Sequence, residues 1–521
     1  MNTGIDDQTF WDSIEGYCGR LSFAPGESVP VHVSCQTDQF NLVVERWAGD
    51  RTQVWAAQGV VGQYHLAPEN ADSQGCRWPV SVEVPTDEQW ESGFYLVTLS
   101  AIGAPKGRDV SHCCFVVRAA DDNRQSALLV LATNTWNAYN TWGGRSLYTG
   151  AHQVSFRRPF GRGMLCRHPV DRDDRKARPV RRGEQPDAEG EIFQQYRTAH
   201  GYPSAIGSSG WFTHERRFVE WANANGFSFD MAVSSDFDTV DGLTDGYDLV
   251  LSVGHDEYWT ATARDIVDSH IRDGANLASF SGNTMFWQVR LAGDGNGDDA
   301  AHMVCYKYRA HLDDPVLADN QPASITGMWA DPVVGRPEWS TLGAGSAFGL
   351  YHRFGQATPR GMGGFTIVDP SHWLVSGTGL TYGDMIGIDD GVVGYETMGC
   401  PVQFDDNNQL VARPHEHMPP DFNIVGFAFS SNLGVGEYPK SIAALSDQGD
   451  LEFVADRVFG GVTENNIGRA KRGNAVIVEG HPFGLTGGRV VTVGTTDWVF
   501  GLASDAQVQA ITANAISTLG G

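Results

Sequence analysis

A histidine and a glutamate two residues apart, placed where an apolar run stops, are the clearest chemical signal in the chain. The run is Asp248–Val253, and Gly254, His255, Asp256, Glu257, Tyr258 and Trp259 follow it. Where a strand exits in extended form, residues i and i+2 point the same way, so His255 and Glu257 can bind one metal ion or share work on a proton. Asp256 reads as a cap for a helix that starts near Thr260. Two more apolar runs end in polar turns. Ala127–Ala132 leads into residues 133–148, which carry Tyr139, and Asn276–Phe280 leads into Ser281, Gly282 and Asn283. Ser281 stands where a nucleophile would, between a strand and a helix, but without the full Gly-x-Ser-x-Gly pattern. Asn283 offers an amide suited to holding an oxyanion.

These turns need a scaffold that brings strand ends to one rim. Apolar runs recur at Ala127–Ala132, Phe227–Val233, Asp248–Val253 and Asn276–Phe280, and helical patterns lie between them at 215–225 and 260–272. In the second helix Ala263, Ile266, Val267 and Ile271 share a face. Strands alternating with helices predict crossover units and a mostly parallel sheet, with ligands at the carboxyl ends of its strands. Further strands are expected at 423–427, 475–478 and 489–493, and a closing helix at 506–519. Residues 300–420, rich in Gly, Pro and aromatics, read as a β-rich insertion. Before residue 120 the pattern is all-β: short alternating stretches at 29–33, 40–44, 79–84, 93–99 and 114–117 predict an immunoglobulin-like sandwich. The expected division is therefore a sandwich at 1–120 and an α/β catalytic domain at 121–521.

Composition bounds the function. The chain has 521 residues, 41% hydrophobic and 19% charged, which suits a folded multidomain protein. A net charge of −26 argues against general nucleic-acid binding and for solubility. No apolar run is long enough for a membrane helix, and Met1–Asp7 lacks signal-peptide features, so no membrane partner and a cytoplasmic location are expected. Eight scattered cysteines without metal-type spacing fit reduced thiols, with Cys113 and Cys114 as small core residues. Ten of the 37 basic residues crowd into 157–182, which reads as a long loop. His415-Glu416-His417, flanked by prolines, also reads as loop.

Taken in order, Asn134–Tyr148, Val154–Pro159, Gly254–Trp259, Ser281–Asn283, Gly394-Tyr395-Glu396 and Gly494–Trp498 resemble the catalytic domain of the N,N-dimethylformamidase large (beta) subunit family, over about residues 125–520. The resemblance implies a glutamine-amidotransferase-like α/β fold and a mononuclear, ferric iron held by two tyrosines and a glutamate. Hard phenolate and carboxylate oxygens suit such an ion. On this sequence the implied ligands are Tyr139, Glu257 and a second tyrosine, Tyr196 before Tyr148 or Tyr202. His255, Asn283, Glu396 and Lys307 match the remaining catalytic pocket positions. The resemblance implies hydrolysis of a small, N-substituted carboxamide by a homo-oligomer, with an optional small accessory subunit. Trp136, Trp142, Phe286 and Trp287 read equally as pocket wall or as core. Two other readings stand beside this one: a serine hydrolase using Ser281 with His255 as base, and a non-catalytic carbohydrate- or protein-binding protein.

Overall fold

The computed structural model describes residues 12–120, 122–167, 199, 201–203, 205–295, 298–352, 359, 361–437 and 449–521. By compactness the chain forms two units. One comprises residues 1–172, 193–243 and 290–304, and the other 173–192, 244–289 and 305–521. The grouping thus keeps the first strand and helices after residue 120 with the N-terminal region, rather than dividing the chain there.

In the first unit, eight strands between Ile14 and Val117 form two sheets. Strands Ile14–Cys18, Ser28–Cys35 and Val80–Pro85 make one, all antiparallel. Five make the other, antiparallel except where Ser22–Phe23 runs parallel to Val110–Val117. Alternate residues from both sheets, among them Val29, Val31, Val33, Leu42, Val44, Val97, Leu99 and Phe115, meet in one core, as the two-residue period of a strand dictates. Cys113 lies in that core, and Cys114, its neighbour in the strand, is buried as well; both are free thiols. Beyond the sandwich, Ala127–Leu131 pairs in parallel with Asp230–Val233. Helix Glu215–Ala224 buries Phe218 and Trp221. The expected strand at 227–233 is shorter than its apolar pattern, because only its last four residues pair.

The second unit carries the site. Leu249–His255 lies parallel to Asn276–Gly282 in a register that sets His255 opposite Gly282. Helix Ala261–Arg272 makes the crossover between them. Thr260 caps it by accepting from the backbone N–H of Ala263, so the expected cap at Asp256 is corrected. Asp256 lies four residues before that cap position, in the strand-exit turn, and takes the Ser252 hydroxyl instead. Val490–Thr492 adds in parallel to Asn276–Gly282. From there the sheet is antiparallel through Gly473–Gly480, Phe422–Ser430, Phe365–Ile367 and Met385–Ile386. It is therefore mixed. The link 481–489 is shorter than the roughly dozen residues that a parallel crossover needs, so the strands it joins must run opposite ways. The region 300–420 holds short strands and single helical turns, and two of its strands, at 365–367 and 385–386, belong to the main sheet. Helix Ala506–Leu519 has its expected bounds, and Asp505 caps it.

Candidate active site

The turn after Leu249–His255 is buried throughout: His255, Asp256 and Glu257 are each less than 5% exposed. The carboxylate of Glu396 comes to 2.6 Å from His255 Nε2, and that of Glu257 to 3.3 Å from the same atom. His255, Glu257 and Glu396 thus form a group whose ligand atoms lie within 4.8 Å of one another, a set that could hold a metal ion.

Each residue is brought there by a local cause. Glu257 is fixed from both ends of Trp287: the indole Nε1 donates to its Oε1 at 2.7 Å, and the Trp287 backbone N–H donates to its carbonyl at 3.0 Å. Glu396 arrives on a segment that crosses Gly282 at backbone contact. A Cβ on Gly282 would sit 2.5 Å from the Glu396 carbonyl oxygen and 2.3 Å from the Thr496 nitrogen. Thr496 N–H donates to the Glu396 carbonyl, and Thr495 and Asp497 accept from the backbone at Gly394 and Tyr395. This is why Gly394-Tyr395-Glu396 and Gly494–Asp497, distant in sequence, are both needed. Asn283, in the left-handed region at φ 51°, turns its amide inward, and its Nδ2 donates to Glu396 Oε2 at 2.9 Å. Ser346 Oγ donates to its Oδ1 at 2.6 Å.

Electrostatics follow from burial and proximity. Burial opposes charge on His255, but Glu396 and Glu257 outweigh it and raise the imidazole pKa to about 10. Burial pushes Glu396 up, against the pull of His255. Asp256, also buried, rises to about 6 although Ser252 donates to it. Lys307 is buried with its Nζ 5.1 Å from the Trp287 ring centroid and 5.7 Å from that of Tyr258. Burial lowers its pKa, while Glu257 acts the other way.

Among the residues expected from sequence, His255, Glu257, Asn283 and Glu396 converge. Lys307 joins them through the Tyr258 and Trp287 rings. Tyr139 belongs to the first unit, where its ring stacks on Tyr148 at 4.2 Å. Tyr196 lies outside the described residues. Trp136 and Trp142 are core residues of the first unit: Trp136 donates to Glu215 and Trp142 packs on Trp78. Ser281 is fully buried, and its hydroxyl is shared with Ser252, Ser279 and Thr284 at 2.7–2.9 Å. Among the described residues those partners are all hydroxyls, and Ser252 in turn donates to the Asp256 carboxylate at 2.7 Å. His417 and Glu416 are at least half exposed, in a turn. Of the basic loop, Arg157 pairs with Asp294 and Asp298, Arg162 pairs with Asp12, and buried Arg158 donates to the Trp142 carbonyl. Residues 168–182 lie outside the described residues.

Sequence reasoning missed Ser346 and Asp450. Asp450 accepts from the phenols of Tyr308 and Tyr351. No spacing signals either residue, since each reaches its partners from a distant segment.

Fold and site together define an α/β protein with a buried histidine–carboxylate centre at the strand ends. The model of the N,N-dimethylformamidase beta subunit-like, C-terminal family matches residues 43–512, and the chain belongs to that family. The match reaches back into the sandwich, beyond the stretch that the motifs alone cover. No curated protein matches the chain in a sequence search.

Proposed function

We propose that the protein is a metal-dependent amidohydrolase that cleaves the C–N bond of a small, N-substituted carboxamide. The observation that carries this reading is the contact of 2.6 Å between His255 Nε2 and Glu396, beside the buried carboxylate of Glu257. Both carboxylates face the same His255 nitrogen, Nε2, and the shorter distance, 2.6 Å to Glu396, fits a shared proton. With Nε2 engaged in that way, Glu257 is the residue that would hold the metal, and His255 and Glu396 are the proton-handling pair. Family resemblance supplies the tyrosines, Tyr139 and Tyr196, and the identity of the metal as iron. When bound, the ion would act as a Lewis acid on the amide carbonyl and on water.

The chain's own groups do the rest. Glu396 Oε2 and His255 Nε2 hold one proton between them. The pair accepts a proton from the attacking water and delivers one to the leaving nitrogen, so that amide and water become carboxylic acid and amine. Asn283 has two amide hydrogens, and only one is given to Glu396; the second can stabilise charge on the carbonyl oxygen. Trp287 holds Glu257, and the aromatic walls around Lys307 exclude water, which strengthens each of these interactions.

The test is amine release from a panel of N-substituted formamides and acetamides, using protein loaded with ferrous or ferric iron, alongside elemental analysis of the purified chain. Iron in stoichiometric amount and turnover that Glu257→Ala abolishes are expected. Turnover lost in Ser281→Ala but kept in metal-free Glu257→Ala reverses the assignment to a serine hydrolase. Neither iron nor turnover makes the protein a binding module. Loss of a visible phenolate-to-iron absorption band in Tyr139→Phe is expected, and retention of the band removes Tyr139 from the ligand set. Oligomerisation and a small accessory subunit belong to the same proposal, checked by light scattering of the isolated chain.

A further inference from the structure

We infer that Ser346 is a positioning residue for the acid–base pair: by donating to Asn283 Oδ1 it holds the amide at its oxygen end, so that one N–H stays on Glu396 and the other faces the reacting carbonyl. The inference rests on the reading of His255 and Glu396 as the proton-handling pair.

Ser346 lies in strand Gly345–Leu350 and is fully buried. Its own place is set from behind. Its backbone N–H donates to Glu338 Oε1 at 2.9 Å. The preceding Gly345 lies so close that a Cβ there would sit 2.8 Å from that carboxylate oxygen and 2.7 Å from the Trp339 ring. From this fixed point the hydroxyl reaches Asn283 Oδ1 at 2.6 Å, and at the other end of the amide Nδ2 reaches Glu396 Oε2 at 2.9 Å. The two ends of an amide have nearly the same shape and opposite hydrogen-bonding sense. Reversed, Asn283 would set its oxygen against a carboxylate oxygen 2.9 Å away, which is repulsive while Glu396 is ionised. Ser346 supplies the second anchor, at the oxygen end of the amide. Without it, a buried amide oxygen loses its partner, and unsatisfied buried acceptors are costly enough to drive rotation toward another donor.

The experiment is a double-substitution cycle on the iron-loaded, full-length chain, using the carboxamide that the panel above identifies. Ser346→Ala is expected to lower kcat roughly five- to ten-fold, the factor one neutral hydrogen bond supplies, with KM nearly unchanged. Ser346→Thr, which keeps the hydroxyl, should restore most of the rate. In the Asn283→Ala background, adding Ser346→Ala should change kcat by less than about two-fold, because residues acting as one unit are not additive. An equal loss in both backgrounds means a general structural role and overturns the inference, as does wild-type kcat in Ser346→Ala. If Ser346→Ala does not fold, Ser346→Cys, a weak donor of similar size, takes its place in the cycle. Wild-type kcat in Asn283→Ala overturns instead the reading of the site on which the inference depends.

Discussion

Glu396→Gln changes one atom of a carboxylate that accepts from two buried partners, His255 at 2.6 Å and Asn283 at 2.9 Å. The amide oxygen of glutamine can still accept both, so the geometry survives while the charge is lost. A hydrogen bond to a charged group contributes about 1.5–3 kcal/mol, against roughly 1 for a neutral one, which puts the stability loss near 2 kcal/mol. The loss depends on pH in a defined direction. In the fold, the His255 pKa stands at about 10, above its ordinary 6.5, with Glu396 the largest favourable contributor. A raised pKa on a base stabilises the fold fully below pH 6.5, and that stabilisation fades as pH rises through 10. Wild type should therefore exceed Glu396→Gln most at pH 6 and least at pH 10, as read from urea midpoints of chelator-treated protein. Catalysis should suffer more, by about 10²–10⁴ in kcat, since the variant cannot hold the proton. A stability gap equal at pH 6 and pH 10, or a kcat within a few-fold of wild type, refutes the pairing as the source of both effects.

Trp287→Phe keeps the ring and removes the donor to Glu257 Oε1; metal affinity in a chelator competition should fall about 10- to 100-fold, and unchanged affinity denies Trp287 that role. Gly282→Ala places a methyl against the backbone of Glu396 and Thr496, at 2.5 and 2.3 Å; overpacking of this kind costs about 1–3 kcal/mol, so a lowered Tm with reduced kcat is expected, and a wild-type Tm contradicts the close approach. In the sandwich, burial and the neighbouring Asp12 carboxylate push Glu15 up to about 8. An acid with a raised folded pKa stabilises the fold most below its unfolded value and loses that advantage as pH rises toward 8. Glu15→Gln should therefore flatten the fall in stability between pH 5 and pH 8, and an unaltered profile argues that Glu15 is ionised in the fold.

Local pattern carried far in this chain. Ala127–Leu131 is buried at every position, as an unbroken apolar run predicts for a strand covered on both faces. The helix after Tyr258-Trp259 follows from the spacing of Ala263, Ile266, Val267 and Ile271, and the one closing the chain has its expected bounds. Two expectations failed where the deciding fact is non-local. Asp256 looked like a cap because carboxylates suit helix starts, yet Thr260 holds that position and Ser252, from the preceding strand, takes the carboxylate. The sheet was expected to be mostly parallel, yet beyond Val490–Thr492 it is antiparallel, because apolar content says nothing of direction and the short link at 481–489 cannot make a crossover.

The turn His255-Asp256-Glu257, at the end of an apolar strand, was determined by sequence alone, because strand exit and two-residue spacing are local properties of the backbone. The carboxylate that completes it, Glu396, was implied by the family resemblance of Gly394-Tyr395-Glu396, but its contacts were decided only by the tertiary structure. Glu396 meets Asn283 across 113 residues, and without the resemblance nothing near it in sequence distinguishes it from a strand residue facing solvent. It reaches the site because Gly282 lacks a Cβ where its backbone must pass, and because Thr495, Thr496 and Asp497 bind that backbone in place. Such contacts depend on how distant segments cross, and a chain's local pattern does not record that.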